Sequence, residues 1–357
     1  VPAAFDRVGE DEGAEALGGK LMFMMSSGGL TDATLFQGKD AILSGPAGGV
    51  VGAVRTSEIA SESKMIGFDM GGTSTDVCHY DGEFERVLHT EVAGVRLRAP
   101  MMHIHTVAAG GGSLLQYRDG RLQVGPASAG AHPGPACYGR GGPLAVTDAN
   151  VMTGKLRPDF FPAIFGPDAD RPLDADATRA RFEEMAKEVG RSPEELADGF
   201  LRIACENMAN AVKKISVQRG HDVSRYCLTV FGGAGAQHAC RIADLLGMTR
   251  ALIHPLASLL SAYGMGLADI RASRQMAVEA RLDAASRLQA AADLDRLSMV
   301  VSMEVESQGV ANRDITLHPV LLLKVEGTDT AIEIPLGREE DMRAAFAEAH
   351  RARFGFD

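Results

Sequence analysis

The residues best suited to chemistry form the run Asp69-Met70-Gly71-Gly72-Thr73-Ser74-Thr75-Asp76. Paired glycines let a backbone turn tightly enough for successive N–H groups to point at one anion. Thr73, Ser74 and Thr75 add hydroxyl donors around the same turn. Asp69 and Asp76 flank it and could position Mg2+, largely through the ion's own waters, beside a phosphate. Gly71, Gly72, Thr73, Ser74 and Thr75 therefore read as phosphate-binding residues. No Gly-Lys-Ser/Thr follows, so the run is not a Walker loop. The plainer alternative is a glycine-rich hairpin with polar turn residues.

A second candidate is Phe231-Gly232-Gly233-Ala234-Gly235-Ala236-Gln237-His238. A strand that feeds a glycine turn and then opens a helix offers helix N–H groups and a flat glycine surface, which suits a nucleoside or phosphate. Gly232, Gly233, Ala234 and Gly235 are the expected contacts. A third region combines His105-Thr106-Val107-Ala108-Ala109-Gly110-Gly111-Gly112-Ser113, the run from Ser128 to Tyr138, and Thr147-Asp148-Ala149-Asn150. It offers His103, His105, His132 and Asp148 as a metal cluster or a substrate wall. Their spacing fits no standard zinc motif, and hydrogen-bonded loop residues are the competing reading. Cys137 has no identifiable base and reads as a buried, inert thiol.

Several elements must position these residues. Met65 to Phe68 reads as a short buried strand that enters the Gly-Gly turn and returns through 75–80. Asp81-Gly82 then signals a hairpin turn before a strand over 84–88. The phosphate loop is thus expected on a β-hairpin, not ahead of a helix. Ser44-Gly45-Pro46 opens a small-residue helix reaching about Ser61, built for close packing. Ser192-Pro193-Glu194-Glu195 is a helix start, with Ser as cap and Glu at the third position. Leu196, Phe200, Ile203, Ala204, Ala211 and Ile215 follow on one face of a helix over 194–219. A strand over 226–231 leads into the second glycine turn, and a helix from about Gln237 to Leu246 leaves it. Further on, a helix over 284–308, two strands over 316–325 and 330–334, and a last helix over 339–353 are expected.

Composition bounds the rest. The chain has 357 residues, 45% of them hydrophobic and 23% charged, as in a folded protein of about two domains. A net charge of −11 argues against a nucleic-acid surface but not against one small anion held by amides. The five cysteines are odd in number and widely spaced, which suits reduced thiols and a cytoplasmic location. No run reaches membrane-spanning length and no signal peptide is visible. The chain starts at Val1, not Met, and reads as a piece of a longer polypeptide.

Six ordered runs, 66–77, 105–113, 128–138, 146–150, 231–240 and 261–269, together resemble the hydantoinase A and 5-oxoprolinase family. Ala131-His132-Pro133-Gly134-Pro135, Ile164-Phe165-Gly166-Pro167 with Pro172-Leu173, and Arg219-Gly220-His221-Asp222 resemble its ATP-dependent 5-oxoprolinase branch. The resemblance implies an α/β fold of the actin, sugar-kinase and heat-shock-chaperone ATPase type, which is ribonuclease H-like. On that basis 1–44 is the tail of a first ATPase lobe. Residues 45–280 are the second lobe, and 281–357 begin a further α+β domain. The implied chemistry is ATP- and Mg2+-dependent hydrolysis of 5-oxo-L-proline to L-glutamate by way of phosphorylation of the lactam carbonyl. Asp69 and Asp76 would be catalytic, with His105, Gly110, Gly111 and Gly112 on the lactam side. A hydantoinase B-like domain or subunit and self-association are implied as partners. Two alternatives stay open: a hydantoinase or acetone-carboxylase-type subunit acting on another carbonyl, and an ATP-binding module without turnover.

Overall fold

A computed structural model describes residues 20–92, 95–328 and 330–355. The expectations for residues 1–19, Asp329 and Phe356 lie outside these. The chain divides into two compact units, one of residues 26–28 and 43–267, the other of the remaining described residues.

In the second of these units, strands β1 (Met22–Met24) and β2 (Leu30–Asp32) form an antiparallel pair. The 43–267 unit opens with helix α1 (Ser44–Ile59), followed by strands β3 (Lys64–Met70) and β4 (Thr75–Asp81). Next come β5 (Arg86–Val92), β6 (Val95–Met102), β7 (His105–Val107), β8 (Ser113–Arg118) and β9 (Arg121–Ser128). Helices α2 (Val146–Met152), α3 (Ala175–Val189) and α4 (Pro193–Ile215) lead to β10 (Cys227–Phe231). Helix α5 (Ala239–Leu246), strand β11 (Ala251–Ile253) and helix α6 (Leu260–Gly266) complete the unit. The other unit adds α7 (Ala284–Ser307), an antiparallel pair of β12 (Val320–Leu323) with β13 (Ile332–Pro335), and α8 (Glu339–Phe354).

The central sheet has the order β11-β10-β3-β4-β7. Strands β3, β4 and β7 are antiparallel neighbours, whereas β10 runs parallel to both β3 and β11. One face of the sheet carries Ile66, Phe68, Met70 and Val77 into a core shared with Phe200, Leu201, Ala204, Met208 and Val212 of α4. Helix α4 begins as its sequence dictates. Ser192 Oγ accepts from Glu195 N at 3.2 Å, and Glu195 Oε2 accepts from Ser192 N at 3.1 Å. Its helical rise ends at Ile215, short of 219, where a 3-10 turn over Val217–Arg219 takes over. The glycines of α1 meet those of α6. A methyl group on Gly52 would lie 2.5 Å from the Leu260 carbonyl oxygen, and one on Gly264 would overlap the Gly48 carbonyl. Only hydrogen at these positions lets the two helix backbones pack so closely.

The expected hairpin from Asp81-Gly82 into 84–88 is not what forms. Gly82 turns the chain with φ +90, but among the described residues only Tyr80 and Phe84 bridge across it. Strand β5 instead pairs with β6, apart from the central sheet, and β7 takes the place beside β4. The strand expected over 316–325 is also shorter, confined to Val320–Leu323.

Candidate functional site

Strands β3 and β4 pair with Asp69 opposite Asp76 and Met70 opposite Thr75, so the turn between them is 71–74. Gly71 N donates to the Ser74 carbonyl at 3.0 Å and closes it. Behind the turn lies the loop after β7. Gly111 N donates to the Gly71 carbonyl at 3.1 Å, and Gly112 N donates to the Gly72 carbonyl at 2.6 Å. A trans peptide holds its N–H opposite its C=O. With both carbonyls tied backward, the N–H groups of Gly72 and Thr73 are aimed forward, away from the loop. Gly72 and Thr73 are exposed, and neither N–H donates to an acceptor among the described residues. This is the geometry of an anion cradle.

Gly110, Gly111 and Gly112 were expected on the lactam side, but they brace the phosphate hairpin from behind. A methyl on Gly110 would come within 2.7 Å of Gly72 O and of the backbone N and C of Thr73. The wall of glycines is therefore a packing requirement. Thr75 departs from expectation for a related reason. It is fully buried and its Oγ1 donates to the Ala109 carbonyl at 2.5 Å, so it anchors the turn and offers no hydroxyl outward.

The second glycine turn meets the first. Gly232 sits at φ +79, and a methyl there would overlap Asp69 Oδ1 and lie 2.5 Å from Met70 O. Ala234 N donates to the Met70 carbonyl at 2.9 Å. Gly233 is exposed and Gly235 is buried against Phe231 O, at 2.7 Å from where a methyl would stand. The parallel pairing of β10 with β3 is what brings the two turns to one end of the sheet. The start of α1 also reaches this end. Pro46 and Val50 line a recess with Asp69, Asp76, Val77, Cys78, Ile104 and Phe231.

Asp69 and Asp76 are both half-buried in this recess. Burial, and then the neighbouring Asp76 charge, push the Asp69 carboxyl up to about 6. Burial also raises Asp76, against the pull of Thr106 Oγ1, which donates to Asp76 Oδ1 at 2.6 Å. Two carboxylates in repulsion beside a cluster of outward amides are suited to a hard divalent cation shared with phosphate oxygens.

The other proposed metal ligands do not come together. Asp148 is fully buried and its carboxylate accepts from Ala136 N, Cys137 N and Ala145 N at 3.0, 2.7 and 2.8 Å, and from Thr178 Oγ1 at 2.9 Å. Its oxygens are committed to loop backbone, so it is a structural pin. His132 is exposed on its loop. His105 lies on β7 opposite Val77, its acidity shifted so that the neutral ring is favoured by burial and by Lys214 and His103. His103 faces Glu85 through Nδ1 at 3.1 Å. Cys137 is fully buried, and burial with the Asp148 charge drives its thiol far above the ordinary range. Among the described residues, the side chains with metal-ligand proximity are instead His79, Asp81 and His221. In the sequence His221 stands only in the 219–222 run and reads as a structural cap, although 79 and 81 share one face of a strand by simple alternation.

Known proteins resemble this sequence. The 5-oxoprolinase 1 of Arabidopsis thaliana is 44% identical over 354 residues, covering 94% of this chain and 28% of that protein. The 5-oxoprolinase of Saccharomyces cerevisiae is 44% identical over 348 residues, covering 94% and 27%. The chain thus spans little more than a quarter of these relatives. Among solved structures, the ATP-dependent caprolactamase from Pseudomonas jessenii superposes with a TM-score of 0.73 at 29% identity, over 99% of this chain and 53% of that one. Residues 4–274 match the Hydantoinase/oxoprolinase family, and the chain belongs to that family.

Proposed function

We propose that this chain supplies the nucleotide-binding lobe of an ATP-dependent 5-oxoprolinase, which opens 5-oxo-L-proline to L-glutamate. The observation that carries the reading is the forward-aimed amide pair of Gly72 and Thr73 beside the Asp69–Asp76 carboxylates. The sheet layout supports an actin-like, ribonuclease H-like lobe. Three antiparallel strands, β3, β4 and β7, are followed by β10 and β11 running parallel beside the first of them. The 41–44% identity to 5-oxoprolinases supports the lactam as substrate.

Opening a lactam by water alone is slow because amide resonance protects the carbonyl carbon. Transfer of the γ-phosphoryl group of ATP to the lactam oxygen removes that resonance. One water then adds to the ring carbon and the ring nitrogen leaves as the amine. A second water releases phosphate from the resulting acyl phosphate. Overall ATP, 5-oxoproline and two waters give glutamate, ADP and phosphate. The chain's contribution is orientation and charge neutralisation. Gly72 and Thr73 N–H groups and the Ser74 and Thr73 hydroxyls hold phosphate oxygens. Gly232, Gly233, Ala234 and Gly235 form the floor for the nucleoside. Asp69 and Asp76 would hold Mg2+, which neutralises phosphate charge when bound. A hydantoinase B-like domain or subunit would supply the lactam side, and the assembly would be cytoplasmic and self-associating.

The test is ADP release by the full-length protein offered 5-oxoproline, hydantoin, caprolactam and acetone in turn. Turnover is expected with 5-oxoproline, and it should vanish in Asp69→Ala. Turnover with another carbonyl compound alone would move the chain to a different branch of the family. ATP hydrolysis that survives Asp69→Ala would remove the role given to the carboxylate pair.

A further inference from the structure

Three to five residues along β4 from Asp76, about 10–17 Å away at strand rise, lies a second polar cluster that the phosphate site does not use. His79 is 4% exposed, and its Nδ1 stands 2.6 Å from Glu85 Oε1. Its Nε2 is buried and has no hydrogen-bond partner. An imidazole nitrogen left bare in a protein interior costs about 1–3 kcal/mol, which a fold rarely tolerates without a use. The His221 ring stacks on His79 with centroids 4.0 Å apart and planes at 29°. Asp81, on the same face of β4, completes the group. One potential ligand atom from each of His79, Asp81 and His221 lies within 4.8 Å of the other two.

We infer that His79, Asp81 and His221 form a binding site for a divalent transition metal of the zinc class. The carboxylate of Glu85 selects the donor. It faces the Arg219 guanidinium and His103 through Oε2 and His79 through Oε1. An ionised Glu85 holds the proton of His79 on Nδ1 and leaves the lone pair on Nε2, the arrangement by which outer carboxylates prepare metal-binding histidines. The half-buried His221 ring, stacked on His79, offers the second imidazole of the group. Lys64 Nζ sits 2.7 Å from Asp81 Oδ1 and 2.9 Å from Oδ2, and Tyr226 Oη donates to Oδ2 at 2.9 Å. A carboxylate has about four acceptor positions, so one stays open. Two imidazoles and one carboxylate select zinc and its late first-row neighbours over Mg2+ or Ca2+. Metal–ligand bonds of about 2.0–2.2 Å require the three side chains to close by about 1 Å. The metal would tie β4 to the 216–226 segment, which joins α4 to β10 and so to the Gly232 turn.

The test titrates the metal-stripped chain with Co2+, followed by visible absorption, and with Zn2+, followed by calorimetry. One equivalent is expected, with ligand-field bands of a tetrahedral or five-coordinate ion and a rise in melting temperature. His221→Gln and Asp81→Asn should each weaken binding at least tenfold. Glu85→Gln keeps all three ligands yet should weaken binding roughly ten- to a hundredfold. His221 is only half-buried, so its variant stays informative should His79→Gln fail to fold by circular dichroism. Absence of Co2+ uptake overturns the inference, as does uptake undiminished in His221→Gln combined with Asp81→Asn.

Discussion

Replacing Asp69 with Asn should make the chain more stable, and the gain should depend on pH. The Asp69 carboxyl rises from an ordinary 3.8 to about 6 because it is buried and faces Asp76. Between those values the folded chain keeps a proton that the unfolded chain has released. Stability therefore falls as pH rises through that window, and the loss is complete above it. The gap corresponds to no more than about 3 kcal/mol, and solvent reaching a half-buried carboxyl trims this to about 1–3 kcal/mol. Asn keeps the shape of the side chain and removes the charge, so it recovers that loss. At pH 4, barely inside that window, the variant should exceed the parent by only about 0.5 kcal/mol. At pH 7.5 the variant should melt higher by about 2–4 °C for each kcal/mol recovered, taking the 43–267 unit as the unfolding body. Urea unfolding at four or five pH values between 4 and 8 reads the effect. A variant less stable than the parent at pH 7.5, or a difference that does not change with pH, would refute the argument, because the strain would then not come from ionising Asp69.

Mg2+ should raise the melting temperature more at pH 8 than at pH 5, where protons compete for the Asp69–Asp76 pair; equal protection at both would place the ion elsewhere. Gly110→Ala forces a methyl to 2.7 Å from the Gly72–Thr73 backbone and should cost about 1–3 kcal/mol in urea unfolding. In the full-length protein it should also weaken ATP binding, which calorimetry measures. Ser192→Ala removes the α4 cap and should cost about 1 kcal/mol without touching nucleotide affinity. Asp148→Asn turns an acceptor of four hydrogen bonds into a group whose amide faces other N–H donors. A loss of at least about 2 kcal/mol is expected by the same denaturation measurement.

The local parts of the site were legible because each is written in adjacent residues. The β-hairpin, the glycine turn after β10 and the Ser192 cap all depend on short-range backbone rules. What the sequence withheld is which distant backbone each element meets. Asp81-Gly82 announces a turn but not whether the next strand stays in the sheet, and β5 leaves it to pair with β6. Thr75 carries the same hydroxyl as Thr73, yet Thr75 opens β4 and is packed into the core while Thr73 stands outside in the turn. Glycines at 110, 111 and 112 look like a ligand loop from composition alone. Their purpose emerges only from hydrogen bonds to a turn some 40 residues earlier. Asp148 likewise looks reactive until its four donors are in view. His79 and His221 are 142 positions apart in the chain, a separation across which spacing says nothing.

The bracing of the phosphate turn has a thermodynamic consequence. A loop left free would lose conformational freedom at the moment a ligand arrived, and affinity would fall by that amount. Here the Gly71 and Gly72 carbonyls are already bonded to Gly111 and Gly112, so the ordering is completed during folding. Nucleotide association at this turn should therefore show little change in local amide exchange behind it. The dipoles that meet the anion stand oriented before it arrives.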